Sequence, residues 1–297
     1  MPETGYSRPQ VIRYLIFTFA AAYAVQFGAA RLVNGGNAMI GQLVIAAMMF
    51  VPALGVLCSG AGLKGLGWRP QLRRNGKAFL IAWFAPLVFT GLGAALFFLI
   101  FPDRFDLSGQ ALAEAGGGEA LRQLAAQGLS YPTYVLISVI GSVTYAPLIN
   151  AVTALGEEIG WRGFLYPQLK ARWGRKKGWL LGGVIWGVWH WPLIWLTGYE
   201  YGTGYPGFPI SGMLLFCVFT VGLGILHDRL YEKSGTIWVP AVFHGAVNAA
   251  ATLPAAVCVG GTGSAQLLGP APNGLLSGLP LLALALLLFL RSGREQG

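Results

Sequence analysis

The sequence is short of charge. Only 10% of its 297 residues are Asp, Glu, Lys or Arg, whereas an ordinary soluble domain carries about 25%. So few charges cannot cover a surface in water, and 55% of the residues are apolar. The apolar residues come in blocks of about 17 to 25, the length that a helix needs to cross roughly 30 Å of hydrocarbon. The sequence therefore predicts an all-α, polytopic transmembrane helical bundle.

Cysteine is also scarce. The three cysteines, Cys58, Cys217 and Cys258, are isolated, and no C-x-x-C pair is present. Their odd number and their spacing indicate neither a disulfide framework nor a thiolate metal site. We expect them to be small apolar residues that pack in or near spans.

Acidic residues are outnumbered by basic ones, and the net charge is +9. In a soluble protein this excess would suggest binding to nucleic acid. Here the basic residues form short clusters between apolar blocks, and no surface of interleaved aromatic and basic residues remains. The expected partner is the lipid bilayer, and nucleic acid is not an expected partner.

The apolar blocks and the polar segments that separate them predict eight candidate spans. They lie at about 14–30, 38–58, 79–101, 132–155, 179–197, 209–226, 237–257 and 274–290. Eight spans put both termini on one side of the membrane. The positive-inside rule makes that side cytoplasmic, because only Arg31, Arg104 and Arg122 of the 20 basic residues then fall outside the cytoplasmic segments and their borders.

The first span resembles a signal peptide at Ala22-Tyr23-Ala24, but its apolar character continues to Ala30, so we expect an uncleaved span. No period of 20 to 50 residues repeats, and residues 1–297 are predicted to form a single integral membrane domain. The outer polar stretch is predicted to carry a short amphipathic helix near 120–129. The tyrosines of the outer loop 198–209 favour an interfacial belt over a binding site.

Two adjacent carboxylates follow the fourth apolar block, in the segment GEEIGWRG at 156–163. Ionisable groups near the centre of a span cost at least about 2.5–3.5 kcal/mol each, so their presence indicates a function. Glu158 and Arg162 are four residues apart with the acid first, the favourable order for an ion pair on a helix. Glu157 lies about 100° around the axis and stays unpaired. We expect Glu157 to face a cavity as a general base; the alternative is a pair of acids solvated by headgroup water.

The fifth span holds His190, in the segment VIWGVWHWP at 184–192. A single histidine among tryptophans is compatible with a site residue. It is equally compatible with a neutral core residue bonded to a backbone carbonyl, because Pro192 has no amide N–H and frees a carbonyl one turn earlier. The motif alone leaves both interpretations open.

The seventh span holds His244 and Asn248, which are one helical turn apart and share a face. They could point into a common cavity or form interhelical hydrogen bonds between closely packed helices. The remaining histidine, His227, begins the segment HDRLYEK at 227–233, which predicts a solvated cytoplasmic turn. We therefore exclude His227 from the predicted site.

The combination favours an enzyme. A glutamate and a histidine can activate water, and a second histidine with an asparagine can stabilise an oxyanion, which together are the parts of a hydrolase. Two alternatives from other classes are a proton-coupled transporter and a non-catalytic membrane scaffold. A transporter would be expected to show inverted repeats and paired broken helices, and the sequence has neither.

At these residues the chain resembles the CPBP family of intramembrane proteases, which includes CAAX-processing and bacteriocin-processing (Abi) enzymes of Ras-converting-enzyme-like architecture. The family motifs E-E-x-x-x-R, F-x-x-x-H and H-x-x-x-N match Glu157-Glu158-x-x-x-Arg162, Trp186-x-x-x-His190 and His244-x-x-x-Asn248. The resemblance covers about 150–255, the predicted catalytic core. One departure is Trp186 in place of phenylalanine, which keeps an aromatic side chain there.

The resemblance implies an endopeptidase in which Glu157 and His190 polarise the attacking water while His244 and Asn248 stabilise the oxyanion. Glu158 and Arg162 would support these residues. The expected substrate is a bacterial peptide or membrane protein, because the Ala-, Gly- and Arg-rich composition is typical of bacteria. Cleavage is expected near the cytoplasmic face of the cell membrane, because both carboxylates end the fourth predicted span on that side.

The family has been described both as metal-dependent and as a metal-free glutamate type, and the sequence leaves the cofactor open. A divalent metal such as zinc, if bound, would be held by Glu157, His190 and His244. The sequence has no H-E-x-x-H motif, and asparagine is a poor zinc ligand, so we expect a metal-free site.

Overall fold

The apolar blocks form helices, because backbone N–H and C=O groups in hydrocarbon must be satisfied within their own segment. The computed structural model describes residues 5–114, 116–261 and 263–292, which contain no strand. The helices are α1 (Arg8–Asn34), α2 (Ala38–Met48), α3 (Val51–Cys58), α4 (Leu72–Ile100), α5 (Gln110–Glu114), α6 (Gly118–Ala126), α7 (Tyr131–Thr144), α8 (Ala146–Gly160), α9 (Tyr166–Trp189), α10 (Trp191–Thr197), α11 (Ile210–Ser234), α12 (Trp238–Ala256), α13 (Ala265–Leu268) and α14 (Leu279–Arg291).

The prediction of an all-α polytopic bundle is confirmed. Five helical segments are long and apolar enough to cross a membrane, or six if the bent pair α6 and α7 forms one span. Each of the eight predicted spans overlaps one or two helices. The count of eight spans and the cytoplasmic position of both termini remain predictions. The expected amphipathic helix is α6, which has no buried residue.

The sequence predicted that the two carboxylates lie at the end of a helix. The helix instead continues beyond them. A π-helical turn (Trp161–Leu165) joins α8 to α9, and the helical path continues to Gly174, where φ is 75° and ψ is 167°. There α9 folds back on itself: a Cβ on Gly178 would touch Lys170, and the Trp161 and Trp189 ring centroids are 5.8 Å apart. This hairpin brings the second arm of α9 alongside α8 and the π-helical turn.

Helix α12 packs antiparallel to α7 and α8. The hydroxyl of Tyr131 donates to the carbonyl of Ala256, and that of Ser142 donates to the carbonyl of Ala249. Further along, a Cβ on Gly245 would lie 2.5 Å from the backbone N of Ala151. Small residues therefore let the helices that carry the acidic motif and the His-Asn motif approach closely.

The two ends of the bundle differ in charge. At the end we call the basic end, Gln168 accepts from the backbone N–H of Ser7, Lys170 pairs with Asp228, and the amide of Asn75 donates to the carbonyl of Ser234. The basic residues on the segments that meet there are Arg8, Arg13, Lys64, Arg69, Arg73, Arg74, Lys77, Lys170, Arg172, Arg175, Lys176, Lys177, Arg229, Lys233 and Arg291. Arg294 lies outside the described residues.

At the opposite end, which we call the loop end, the polar segments 101–130, 198–209 and 257–278 meet. The hydroxyl of Tyr201 donates to the carbonyl of Asn273, and the backbone N–H of Val259 donates to the carbonyl of Arg104. The charged side chains at this end are Arg31, Asp103, Arg104, Asp106, Glu114, Glu119, Arg122 and Glu200. The bundle thus separates a strongly basic end from a weakly acidic one.

Candidate active site

Glu157 is held at one of its oxygens by two indoles. Trp186 and Trp161 donate their ring N–H groups to Oε2 of Glu157, at 2.7 Å and 3.0 Å. The side chain is 2% exposed and lines an internal cavity. Two charge-assisted donors on one oxygen fix the orientation of the carboxylate and leave its other oxygen without an indole partner.

Glu158 forms the ion pair expected with Arg162, at 3.1 Å between Oε1 and Nη1, and both side chains are fully buried. The same oxygen lies 2.8 Å from Nδ1 of His244. The guanidinium of Arg162 lies between two aromatic rings, 4.2 Å from the centroid of Trp186 and 4.9 Å from that of Tyr166. These contacts compensate the cost of burying two charges and connect the acidic motif directly to His244.

His190 lies at the junction of α9 and α10, where its Nδ1 is 3.0 Å from the carbonyl of Trp186. A carbonyl can only accept, so Nδ1 carries a proton and Nε2 of the neutral ring holds a lone pair. The ring is stacked on Tyr199, with centroids 6.1 Å apart and an interplanar angle of 8°. These two contacts fix the orientation of the His190 ring and leave Nε2 available to a reactant.

The cavity brings the predicted residues together. Glu157, His190, His244 and Asn248 all line it, and it encloses about 80 Å³, enough for several water molecules. Glu158 and Arg162 do not line the cavity and lie behind its wall. Four residues can thus touch a reactant. Glu158 and Arg162 instead hold one of those four, His244, in place.

The prediction that His227 lies in a solvated turn was wrong. Helix α11 continues to Ser234, so His227 is a buried helical residue instead of part of a solvated turn, and it is 0% exposed. Its Nε2 is 3.7 Å from Oε1 of Glu158, and its Nδ1 is 2.8 Å from the carbonyl of Leu223. The apolar block before it, 209–226, gave no sign that the helix continues into a charged segment. His227 therefore belongs to the polar cluster around Glu158.

The metal-ligand set expected from the sequence differs from the one that the structure assembles. Among the described residues, the ligand atoms of Glu158, His227 and His244 lie within 4.8 Å of one another, and those of Glu157 and His190 are not in that group. The Glu158–His244 separation of 2.8 Å is a hydrogen bond, shorter than the roughly 3.3 Å between two zinc ligands in a tetrahedron. Arg162 also places a positive charge on the same oxygen. These residues therefore fit a divalent cation poorly.

The indole donors to Glu157 are the contacts that the sequence motifs did not reveal. Trp186 occupies the aromatic position of the second motif, where a phenylalanine ring would provide no N–H. Trp161 is fully buried beside it, with its ring packed against Tyr14 and Trp189. Trp161 is four residues from Glu157, a spacing at which helical side chains meet, and that spacing was the available signal.

Comparison with known proteins found two matches. Residues 134–250 match a family model described as type II CAAX prenyl endopeptidase Rce1-like. A curated relative, CAAX prenyl protease 2 of Methanococcus maripaludis, is 39% identical over 63 residues, which are 20% of this chain and 23% of the relative. The matched segment of the family model contains all three motifs. The resemblance found in the sequence is confirmed, and both matches point to a peptidase.

Proposed function

Because residues 134–250 form an Rce1-like segment, we propose that the protein is an intramembrane endopeptidase that hydrolyses a peptide bond with a water molecule activated by Glu157 and His190. The observation that carries this proposal is the shared cavity. Side chains from α8, the α9–α10 junction and α12 line it together. A water molecule there would lie between a carboxylate and an imidazole.

Water activation follows from the hydrogen bonds of both residues. The indoles occupy Oε2 of Glu157, so Oε1 is the oxygen that would accept a proton from water. The lone pair on Nε2 of His190 would accept the other hydrogen of the same molecule. Positioned acid–base groups of this kind contribute typically 10²–10⁴-fold to rate. Protonated Glu157 would then deliver its proton to the leaving amine.

The oxyanion would be stabilised by His244 and Asn248, which lie one turn apart on the same face of α12. Nδ1 of His244 donates to Glu158, so only a doubly protonated ring can also donate from Nε2 to the oxyanion. Glu158 would thus act through His244, and Arg162 would hold Glu158. One such donor is worth about 2.7–4 kcal/mol in a well-studied protease.

We propose a peptide or membrane-protein substrate presented within a bacterial cell membrane, and a reaction that needs no metal. The relative's name gives a CAAX prenyl protease as its activity. The matched part is less than a quarter of that relative's length. The substrate of this chain is therefore a proposal. No step of the proposed reaction uses a metal ion.

The test is a comparison of Glu157→Gln with Glu119→Gln in purified protein reconstituted into liposomes. Glu119 is an exposed acid on α6 and serves as the matched control. With membrane-presented peptides we expect kcat to fall by about 10²–10⁴-fold in Glu157→Gln and to stay unchanged in Glu119→Gln. Chelator treatment should leave wild-type activity unchanged. Equal activity of both variants would remove Glu157 from the reaction, and loss of activity with chelator would overturn the metal-free reaction.

A further inference from the structure

The cavity has a floor at the reactive residues. Glu157, Trp186 and His244 are among the residues that line it. Beyond them, toward the basic end, lie Arg162 and His227, and both are 0% exposed. A separate pocket at the basic end, lined among others by Leu66, Phe164 and Gln168, shares no lining residue with the cavity. The buried side chains of Arg162 and His227 therefore separate the reactive residues from the basic loops.

The other end of the cavity reaches the loop end. Its lining there comes from Tyr199 and Glu200, in the loop between α10 and α11, and from Asn273 in the segment before α14. Glu200 is accessible to solvent. Along the side, Ile45 and Met49 of the α2 region and Ala251 of α12 are only half-buried. The opening thus lies at the loop end and extends toward the flank between α2 and α12.

The charge separation orients this opening in the membrane. Segments rich in Lys and Arg stay in the cytoplasm, and the basic residues gather at the end of the bundle that lies behind the cavity floor. The loop end has more acids than bases and faces the other side. We propose that the substrate enters from the non-cytoplasmic face, so that the protease acts on exported peptides or on the outer half of membrane segments.

This inference rests on the proposed function and changes one part of the sequence prediction. The cytoplasmic location of the cleavage was predicted because the carboxylates were expected to end a span on that side. The helix instead continues through the π-helical turn, and Glu158, Trp161 and Arg162, which follow Glu157, are buried. The position of the carboxylates along the chain does not decide from which side of the membrane a substrate reaches them.

Sidedness is tested first by labelling that needs no activity. Single cysteines at Thr203 in the loop end and at Lys177 in the basic end are introduced after Cys58→Ser, Cys217→Ala and Cys258→Ser; both target positions are exposed. Intact cells are treated with a membrane-impermeant maleimide before and after permeabilisation. We expect Thr203→Cys to react in intact cells and Lys177→Cys only after permeabilisation. The reverse pattern would overturn the proposal.

A second measurement tests substrate entry itself. One hydrophobic peptide substrate is supplied to the outer face of spheroplasts and to the exposed cytoplasmic face of inverted vesicles, each containing wild type or Glu157→Gln. We expect Glu157-dependent cleavage at least about tenfold faster in spheroplasts. Faster cleavage in inverted vesicles would overturn the entry side while leaving the protease function intact. Absence of Glu157-dependent cleavage in both would instead contradict the proposed function.

A separate observation concerns Glu200 at the cavity mouth. Its backbone is left-handed, with φ at 70°, which is uncommon outside glycine and asparagine. Protein surrounds the side chain, yet cavity space keeps it in contact with solvent. Among the described residues, no Lys or Arg forms an ion pair with it, although Arg104 lines an adjoining pocket. Its side-chain hydrogen bond is with Tyr199, the ring that stacks on His190.

An unpaired carboxylate enclosed at the mouth of a substrate cavity attracts cations and disfavours anions. We infer that Glu200 is a specificity residue that selects substrates with a cationic group, a Lys, an Arg or a free amine, near the scissile bond. This differs from the sequence prediction that the tyrosine-rich loop 198–209 is only an interfacial belt. The loop contributes Tyr199 and Glu200 to the cavity wall.

The test compares two peptides that differ only by lysine or norleucine at positions flanking the cleavage site. The ratio of their kcat/KM values is measured for wild type, Glu200→Gln and the control Glu114→Gln, an acid at the loop end outside the cavity lining. We expect wild type to prefer lysine at one position and Glu200→Gln to lose about tenfold of that preference. The control should keep the ratio. An unchanged ratio in Glu200→Gln, with activity retained on norleucine peptides, would refute the assignment.

Discussion

At the scale of single residues, the carboxylate of Glu157 illustrates how one substitution changes a site. The aromatic position of the second motif is phenylalanine in the family pattern and Trp186 here. The indole keeps an aromatic face against Arg162, at 4.2 Å, and adds an N–H that donates to Glu157. Its ring therefore serves two charged groups, and only the contact to Arg162 would be possible with phenylalanine.

We predict that Trp186→Phe lowers kcat by about tenfold and leaves KM nearly unchanged. The variant keeps the ring and removes one hydrogen bond to a charged group, worth about 1.5–3 kcal/mol. Steady-state kinetics in liposomes, with thermal unfolding as a check on folding, measures the effect. Trp195→Phe, at an exposed position, is the matched control and should behave like wild type. A wild-type kcat in Trp186→Phe would show that the indole N–H does not position the base.

Arg162→Met should destabilise the protein by about 3–5 kcal/mol, because it leaves the buried carboxylate of Glu158 without its ion-pair partner. The double variant Glu158→Gln/Arg162→Met should be less destabilised than the single variant, since both charges are removed together. Unfolding by denaturant in detergent micelles gives both values. A single variant as stable as the double one would mean that His244 and His227 compensate the charge by themselves.

The pH dependence of stability should report on Glu200. Its enclosure raises the pKa of the carboxyl above the ordinary value of 4.5, because burial disfavours the charged form; the hydrogen bond from Tyr199 acts in the opposite direction. In the pH range between the unfolded and the folded pKa, the folded state holds the additional proton. Stability therefore falls as pH rises from 4.5 through the raised pKa.

Glu200→Gln has no such titration, so the difference in unfolding temperature between it and wild type isolates this residue. Over pH 4 to 8 we expect wild type to lose stability relative to Glu200→Gln as pH increases. A difference that is constant across this range would show that enclosure does not affect the carboxyl.

At the scale of helices, the site depends on two close approaches. The second arm of α9 reaches α8 and the π-helical turn because the chain reverses at Gly174, where φ is 75°. Helix α12 reaches α8 because Gly245 has no side chain, which brings His244 within 2.8 Å of Glu158. The motifs are far apart in sequence, and these two contacts bring them together.

We predict that Gly245→Ala costs about 1–3 kcal/mol of stability and most of the activity, because the new methyl group would overlap the carbonyl of Pro147 and the backbone of Ala151. Gly91→Ala on α4 is the matched control, since no atom lies within 4 Å of its added Cβ. That variant should be neutral or more stable by about 0.5–1 kcal/mol. Thermal unfolding and turnover are measured for both. Similar behaviour of the two variants would mean that α8 and α12 do not require this close contact.

On the scale of the whole molecule, the basic residues and the opening of the cavity lie at opposite ends of the bundle. The basic residues lie on the segments at one end of the bundle, while the reactive residues are reached from the other. A chain inserted by the positive-inside rule thus places its cavity mouth away from the cytoplasm.

Reporter fusions should show this orientation. We predict that green fluorescent protein fused after the last residue of the chain fluoresces, because the basic end is cytoplasmic. Alkaline phosphatase fused after Gly128, between α6 and α7 at the loop end, should be active because that enzyme requires the outer side. Exchanging the two reporters provides the control and should silence both. An active phosphatase at the chain end would reverse the assignment.

Much of the fold follows from local sequence. Apolar length predicts helices at all eight candidate spans, and the i, i+4 spacing predicts the ion pair of Glu158 and Arg162, which the structure contains. Within the site, Glu157, His190, His244 and Asn248 share one cavity, as their motifs indicated. The prediction of a solvated turn at His227 was wrong, because the neighbouring residues are charged and charge in the sequence does not reveal that a helix keeps one side chain buried.

Composition and local pattern suffice to predict that this chain is an all-α membrane protein, where its apolar helices lie and which motifs carry polar groups into them. These properties depend on composition and on periodicity within one segment. The contact of Trp186 with Glu157, the proximity of His227 to Glu158 and the opening of the cavity at the loop end depend instead on how the helices pack. Those contacts join segments far apart in the chain. Their geometry depends on the reversal at Gly174 and on how closely α12 can approach α8.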